Sequence, residues 1–483
     1  MCRHLFSGEL LKRYETSVIK DLLVITPTGA PLHRTDLFKL LIVMIMTICL
    51  CSLANAIEMK GMNYIAWNST GLATADSDMS LANARKIGCN WIGLCVSWFQ
   101  DDVNSTLIEP DSCCSSTPES VIHAIDKCHE LGMKVMLKPM VDCRDNTWRG
   151  NINPSPAWFA TYQNFINFWA GVAEDHNVEL FCTGTELANT TGWSSSWRNV
   201  IQNIRNYYTG PLIYAANPDE EKNINWWDEL DYIGIDAYYP LTNKNNPTLT
   251  ELEAAWNNRA NAIEAWRNNN WSNMQIIFTE VGYRSIDGVN KAPWLRPSPP
   301  FQIDLQEQAD CYNALLSQCK DRQWWSGVFW WNWEVNPNAG GQGDPYYTPQ
   351  NKPAEAVLAD YYVCLKGDLT GDSKVNFEDL SMIAAYWLSY HPSMDIYPAP
   401  YGDGIIDYHD FATVAKNWMA DLNLDGDING DCKVDFEDLS RLTNQWLHTC
   451  KPGSISEDIN RDGLVNFADY ALLAGSWMHA PSP

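Results

Sequence analysis

Between residues 57 and about 363 the chain repeats one alternation eight times. A strand-length apolar run is followed by a stretch whose apolar residues recur with a 3.6-residue period. The runs occupy 60–67, 91–99, 134–141, 179–185, 212–216, 232–239, 275–281 and 327–333, with helical patterns such as 120–131, 156–174 and 252–267 between them. Near-continuous apolar strands suit a parallel sheet buried on both faces. Eight β-then-α units predict a closed (β/α)8 TIM barrel. An open doubly wound sheet would want a Gly-rich phosphate turn after its first strand, and none follows residue 67. Charge narrows the partners further. With 33 Lys plus Arg against 59 Asp plus Glu, the net charge is −26, which argues against nucleic acid or an anionic membrane as partner. The 23 Trp require either unusual packing or flat ligands.

The barrel region is preceded by the apolar run 40–54, LLIVMIMTICLCSLA, ending at the small-x-small site Ala54-Asn55-Ala56. This pattern predicts a secretory signal over 1–56, long or mis-started, a secreted or surface-attached product, and no membrane span in the mature chain. Twelve of the 15 Cys follow it. In an oxidising compartment, disulfides are expected around Cys113, Cys114 and Cys143 and around Cys432 and Cys450. Buried free thiols are the competing reading for Cys89, Cys95 and Cys182.

From residue 366 onward the composition turns acidic and one pattern recurs. Asp368, Thr370, Asp372, Asn376 and Asp379 stand at positions 1, 3, 5, 9 and 12 of a twelve-residue loop. Asp427, Asn429, Asp431, Asp435 and Asp438 repeat it, as do Asp458, Asn460, Asp462, Asn466 and Asp469. Each complete loop has Phe at position 10 and Trp 19 residues after position 1. Counting back from Trp418 places a degenerate copy at Ala399, without its first ligand. Oxygen ligands at alternate positions are what Ca²⁺ requires. A merely solvated acidic surface does not predict the fixed aromatic offsets. The pattern resembles the dockerin type I repeat, in two tandem pairs over 366–422 and 425–483. That resemblance implies a cohesin-type module as partner, anchoring the barrel, 57–363, to a scaffold or surface.

Barrel active sites lie at the carboxyl ends of strands. The fourth run ends Thr183-Gly184-Thr185-Glu186 and the seventh ends Phe278-Thr279-Glu280. Two such carboxyls suit retaining glycoside hydrolysis, one as nucleophile and one as acid/base. Flat aromatic faces suit the C–H faces of sugar rings, so Trp98, Tyr238, Trp331 and Trp333 are candidate platforms. Lys138, Asp142 and Asp236 are candidate hydroxyl ligands. Nine His form no cluster at strand ends, which disfavours a metal-dependent hydrolase; catalysis needs no cofactor on this reading.

The strings KGMNY, LKPMVD, FCTGTEL, DYIGIDAYYP, FTEVGYRS and FWWNW resemble glycoside hydrolase family 113, the β-mannanases, over residues 59 to 362. The resemblance implies Glu186 as acid/base, Glu280 as nucleophile, and a β-1,4-mannan or manno-oligosaccharide substrate. Thr185 precedes the acid/base where many clan members carry Asn. Two other readings stand beside it. One keeps the mechanism on glucan, xylan or chitosan. The other is a non-catalytic carbohydrate-binding scaffold, against which the two intact glutamates argue.

Overall fold

The computed structural model describes residues 57–296, 299–363, 366–370, 374–389, 391, 394–397, 402–418, 426–428, 434, 436–449, 457–460 and 462–476. The expected signal and the Cys432 and Cys450 pair lie outside these residues. Eight parallel strands close in sequence order into a barrel: β1 (Met59–Tyr64), β2 (Trp91–Gln100), β3 (Lys134–Cys143), β4 (Leu180–Thr185), β5 (Leu212–Ala216), β6 (Tyr232–Asp236), β7 (Gln275–Val281) and β8 (Trp325–Trp333). The helices α1 (Ala75–Lys86), α2 (Pro118–Glu130), α3 (Pro156–Asp175) and α4 (Ser194–Ile204) follow β1 to β4, and α5 (Leu249–Asn270), α6 (Leu305–Cys319) and α7 (Pro353–Tyr362) follow β6 to β8.

Local chemistry sets the helix starts. Thr74, Thr117, Ser155, Thr248 and Asp304 each accept a backbone N–H of the first turn, which satisfies a donor the helix cannot. Pro118 and Pro156 open α2 and α3 where a missing N–H costs nothing. Along α2, Val121, Ala124, Ile125 and Cys128 are buried, the helical stripe that faces a core.

The fifth crossover departs from the expectation. No α-helix follows β5 among the described residues; two short 3-10 turns, Glu220–Asn223 and Trp227–Glu229, fill the gap. Trp226 and Trp227 are fully buried there, and Trp226 stacks on Trp197 of α4 at 5.0 Å and 14°. Two indoles cover the strand that a helix would otherwise cover. Much of the Trp excess is packing of this kind: Trp158, Trp169, Trp197, Trp256, Trp330 and Trp333 are also fully buried.

The lower lumen is plugged by Met59, Trp91, Met136, Leu180, Ile213, Ile277 and Phe329. Alternation along β3 continues this inward face upward through Lys138, Met140 and Asp142. Gly234 lets β6 approach its neighbours, since a side chain there would lie 2.3 Å from the Tyr214 carbonyl. The nine described cysteines are free, with Cys89, Cys95 and Cys182 buried. Cys113 and Cys114 sulfurs stand 2.7 Å apart, and the buried Cys143 pairs with neither.

In the acidic tail, α8 (Phe377–Ala385) and α9 (Tyr408–Lys416) share one apolar cluster, built on Val375, Ile383, Ile406 and Val414. α10 (Phe436–Asn444) and α11 (Phe467–Gly475) share another, built on Val434, Leu442, Val465 and Leu473.

Candidate active site

Glu280 and Glu186 reach the mouth of the barrel through breaks in strand regularity. The register shifts between Phe278 and Val281 and between Ile235 and Asp236. Such irregularities re-aim side chains at active sites. Here the consecutive residues Thr279 and Glu280 both reach inward partners. Thr279 Oγ1 donates to Asp236 Oδ1 at 2.7 Å, and Glu280 Oε1 accepts from Lys138 Nζ at 2.6 Å. Tyr238 donates its hydroxyl to Glu280 Oε2 at 2.9 Å. Both oxygens of a nearly buried carboxyl are therefore fixed by donors from β3 and from the end of β6.

Glu186 follows a register shift in β4 and has φ of 54°. A non-glycine residue in the left-handed region costs on the order of 1 kcal/mol or more, a cost that concentrates at functional sites. Trp148 donates its indole N–H to Glu186 Oε2 at 3.2 Å. The carboxyl is sunk in the cleft while part of the residue still meets solvent. Burial, then the charge of Glu280, pushes it up to about 7, against the pull of Arg149 and the Trp148 N–H. Arg149 is locked by Asp142, whose Oδ1 accepts from its Nε at 3.0 Å and its terminal nitrogen at 2.6 Å, while Ser97 holds the other oxygen. One carboxyl with a proton to give near neutral pH, and one with an ammonium counter-charge, is an arrangement chemically capable of acid and nucleophile roles.

In the tail, Asn376, Asp407 and Asn466 are helix N-caps, and Asp379, Asp410 and Asp469 complete capping boxes with them. These are loop positions 9 and 12, so the loop's last residues also start the helix. Asp379 Oδ1 accepts from the Leu369 and Thr370 N–H groups. Asp410 Oδ1 accepts in the same way from Ile396 and Tyr397. That places Asp395, not Ala399, at position 1 of the second loop. Asp395 accepts from Asp403 and Gly404, as Asp458 does from Asp462 and Gly463. The second loop has kept its first carboxylate and gained four residues. Asp368, Asp379, Asp395, Asp410, Asp438, Asp458 and Asp469 are all buried. Buried oxygen donors of this kind fit a hard cation such as Ca²⁺. Asp372, Asn429, Asp431 and Asp435 lie outside the described residues.

The model of Glycoside Hydrolase Family 113 matches residues 64–352, which includes all eight strand ends. The chain belongs to glycoside hydrolase family 113. The Dockerin type I domain model matches residues 425–476. Among solved structures, a GH113 β-1,4-mannanase complex is 27% identical with a TM-score of 0.57, covering 63% of this chain and 98% of that one. The GH113 β-mannanase AaManA from Alicyclobacillus acidocaldarius in complex with ManMIm is also 27% identical, with a TM-score of 0.57 over 64% and 99% of the two chains. No curated protein matches.

Within this family 113 barrel the candidate sugar ligands separate. Trp331 sits at the top of β8 beside Ile65, Cys95 and Met140 and is part-exposed. Tyr238 touches Glu280. Lys138 and Asp236 are fully buried beneath Glu280 and cannot meet a sugar, and Asp142 is committed to Arg149 and Ser97. Trp98 packs outward on Phe165 and Phe168 of α3 at 5.3 and 5.7 Å. Trp333 is buried with its N–H on Ser80 of α1. Sequence reading passed over Arg149. A basic residue seven positions after an inward Asp was the available signal.

Proposed function

We propose that the chain is a retaining β-1,4-mannan hydrolase of family 113, secreted and attached to a scaffold or surface through tandem dockerin pairs. The observation that carries the mechanism is the asymmetry of the two glutamates. Glu280, held by Lys138 and Tyr238, attacks the anomeric carbon. Glu186, with its titration raised to about 7, protonates the departing oxygen and then takes a proton from the incoming water. Arg149 lies where it steadies charge on both. Trp331 supplies the flat face for a sugar ring, and the likeness to structures titled β-mannanase supports mannan as the glycan.

The tail's oxygen ligands would hold Ca²⁺ with Asp368, Asp379, Asp395, Asp410, Asp438, Asp458 and Asp469 nearest it, and the dockerin match supports a cohesin-type partner. The cation would supply folding energy to units whose apolar clusters are small. Glucan or xylan hydrolysis by the same residues is the second reading. Reducing-end release and product sizes on mannan, glucomannan, xylan and cellulose separate the two. A fluorinated mannoside should add one glycosyl mass to the peptide holding Glu280. Label elsewhere, or an inverted product, would refute the retaining assignment.

A further inference from the structure

Beneath the two glutamates lies a group of charges that does not balance. Lys138 Nζ is the cation at its centre, 2.6 Å from Glu280 Oε1 and 3.3 Å from Asp236 Oδ1. Both Lys138 and Asp236 have no solvent exposure. Asp236 Oδ1 accepts from Lys138 and from the Thr279 hydroxyl, whereas Asp236 Oδ2 is buried with no hydrogen-bond partner. One ammonium cannot neutralise two carboxylates. An ionised oxygen without a donor in such a place is among the costliest arrangements a protein interior holds.

We propose that Asp236 is a neutral carboxylic acid with its proton on Oδ2, and that the Lys138 ammonium is thereby committed to Glu280 as a positioning counter-charge for the attacking carboxylate. Protonation places one negative and one positive charge in the buried layer, and the shorter of the two Lys138 contacts is the one to Glu280. The surroundings agree. Burial first, then the charge of Glu280, raises Asp236 well above the usual carboxylate range, with Lys138 pulling the other way. Burial works against the charge of Lys138, and the facing carboxyls outweigh it. The other ionisable groups facing this layer are Glu186 of the β4 end, the thiols Cys95 of β2 and Cys182 of β4, and Tyr238. All of these are acids, neutral or negative and never cationic. The other cation within reach, Arg149, also faces Glu280 and Glu186 but is paired with the carboxylate of Asp142, so it leaves the excess negative charge in this layer uncompensated.

The catalytic half of this inference rests on Glu280 as nucleophile; the protonation of Asp236 does not. Infrared difference spectra of the full chain at pH 7, wild type minus Asp236→Asn, should show loss of a neutral-acid C=O stretch that shifts in D₂O. Acids whose protonation the substitution leaves alone cancel in the difference, and repeating it in a Glu186→Gln background removes any change at Glu186, which titrates at about 7 and faces Asp236. Loss of a carboxylate band instead would overturn the proposal. In the kinetic arm, on an activated aryl mannoside, Asp236→Asn should lose no more than about threefold in kcat/KM and keep its acidic limb in place, since an amide mimics a neutral acid. Lys138→Met should lose about 100-fold or more, with the acidic limb moved to higher pH as the nucleophile loses its counter-charge. Equal losses in the two variants would overturn it. Should wild type itself ignore the mannoside, the substrate reading falls while the infrared arm still decides Asp236. If Lys138→Met does not fold, that arm and the Asp236→Asn limb decide alone.

Discussion

Replacing Glu280 by Gln removes a charge and keeps the shape, so it isolates what that charge does to Glu186. Glu186 is raised from an ordinary 4.5 to about 7 by burial first and by Glu280 second. At pH 6 a group titrating near 7 is ~90% protonated, against ~3% for one at 4.5, so the environment supplies about 30-fold more of the acid form. Removing the Glu280 charge should lower the Glu186 midpoint, because one of the two causes is gone. It should remain above 4.5, because burial persists. Each pH unit of that fall corresponds to about 1.4 kcal/mol of repulsion between the pair. The assay is ¹³C NMR titration of labelled glutamate side chains, with Glu186 assigned from a Glu186→Gln control. A midpoint still at 7 would show that the carboxyls do not sense one another; one at 4.5 or below would show that burial contributes nothing. In wild type the sign is fixed: the acid form disappears as pH rises through about 7, so kcat/KM should fall on that side.

Glu186→Ala should be crippled on mannan yet keep measurable activity on an aryl mannoside whose leaving group needs no proton; equal losses would remove the acid role. Trp98→Ala should lower stability by about 3 kcal/mol in denaturant titration with little change in KM, whereas Trp331→Ala should raise KM with little change in stability; the reverse pattern would refute the two placements. A chain ending at residue 363 should fold and hydrolyse soluble mannan, because every catalytic candidate precedes that point; a folded but inactive product would contradict it. Residues 366–483 should gain helix on adding Ca²⁺ and bind four ions by calorimetry, and Asp395→Ala should bind three; an unchanged stoichiometry would return the second loop's start to Ala399.

The strands were legible because burial on both faces writes an unbroken apolar run. Two of the eight, 212–216 and 275–281, match the observed bounds. The missing fifth helix was less visible, since the residues after β5 carry no helical period and the strand count alone suggested one. Trp98 was readable and misread: Ile92, Leu94 and Val96 face the helices, and Trp98 shares their parity. Trp333 was not readable in this way. It shares the parity of the inward Trp331, but the β1–β8 register shifts near Tyr64 and the ring turns outward. Lys138 and Asp236 stood at strand ends, where polar residues normally meet ligands. Their burial follows from convergence of three strands that no single run records. Asp395 was hidden by a four-residue insertion that defeated counting by fixed offsets.

The plugged lower lumen closes the cleft from below. On the proposed retaining mechanism, substrate, leaving sugar and attacking water would all pass through the mouth where Trp148 and Trp331 stand. A departing sugar that lingered there would block the water that has to release the bound half. Traffic through that opening, and not bond making alone, would then set how often a second sugar's hydroxyl takes the bound glycosyl group before water does. Enlarging the mouth would favour hydrolysis, and crowding it would favour synthesis, with the reacting carboxyls untouched.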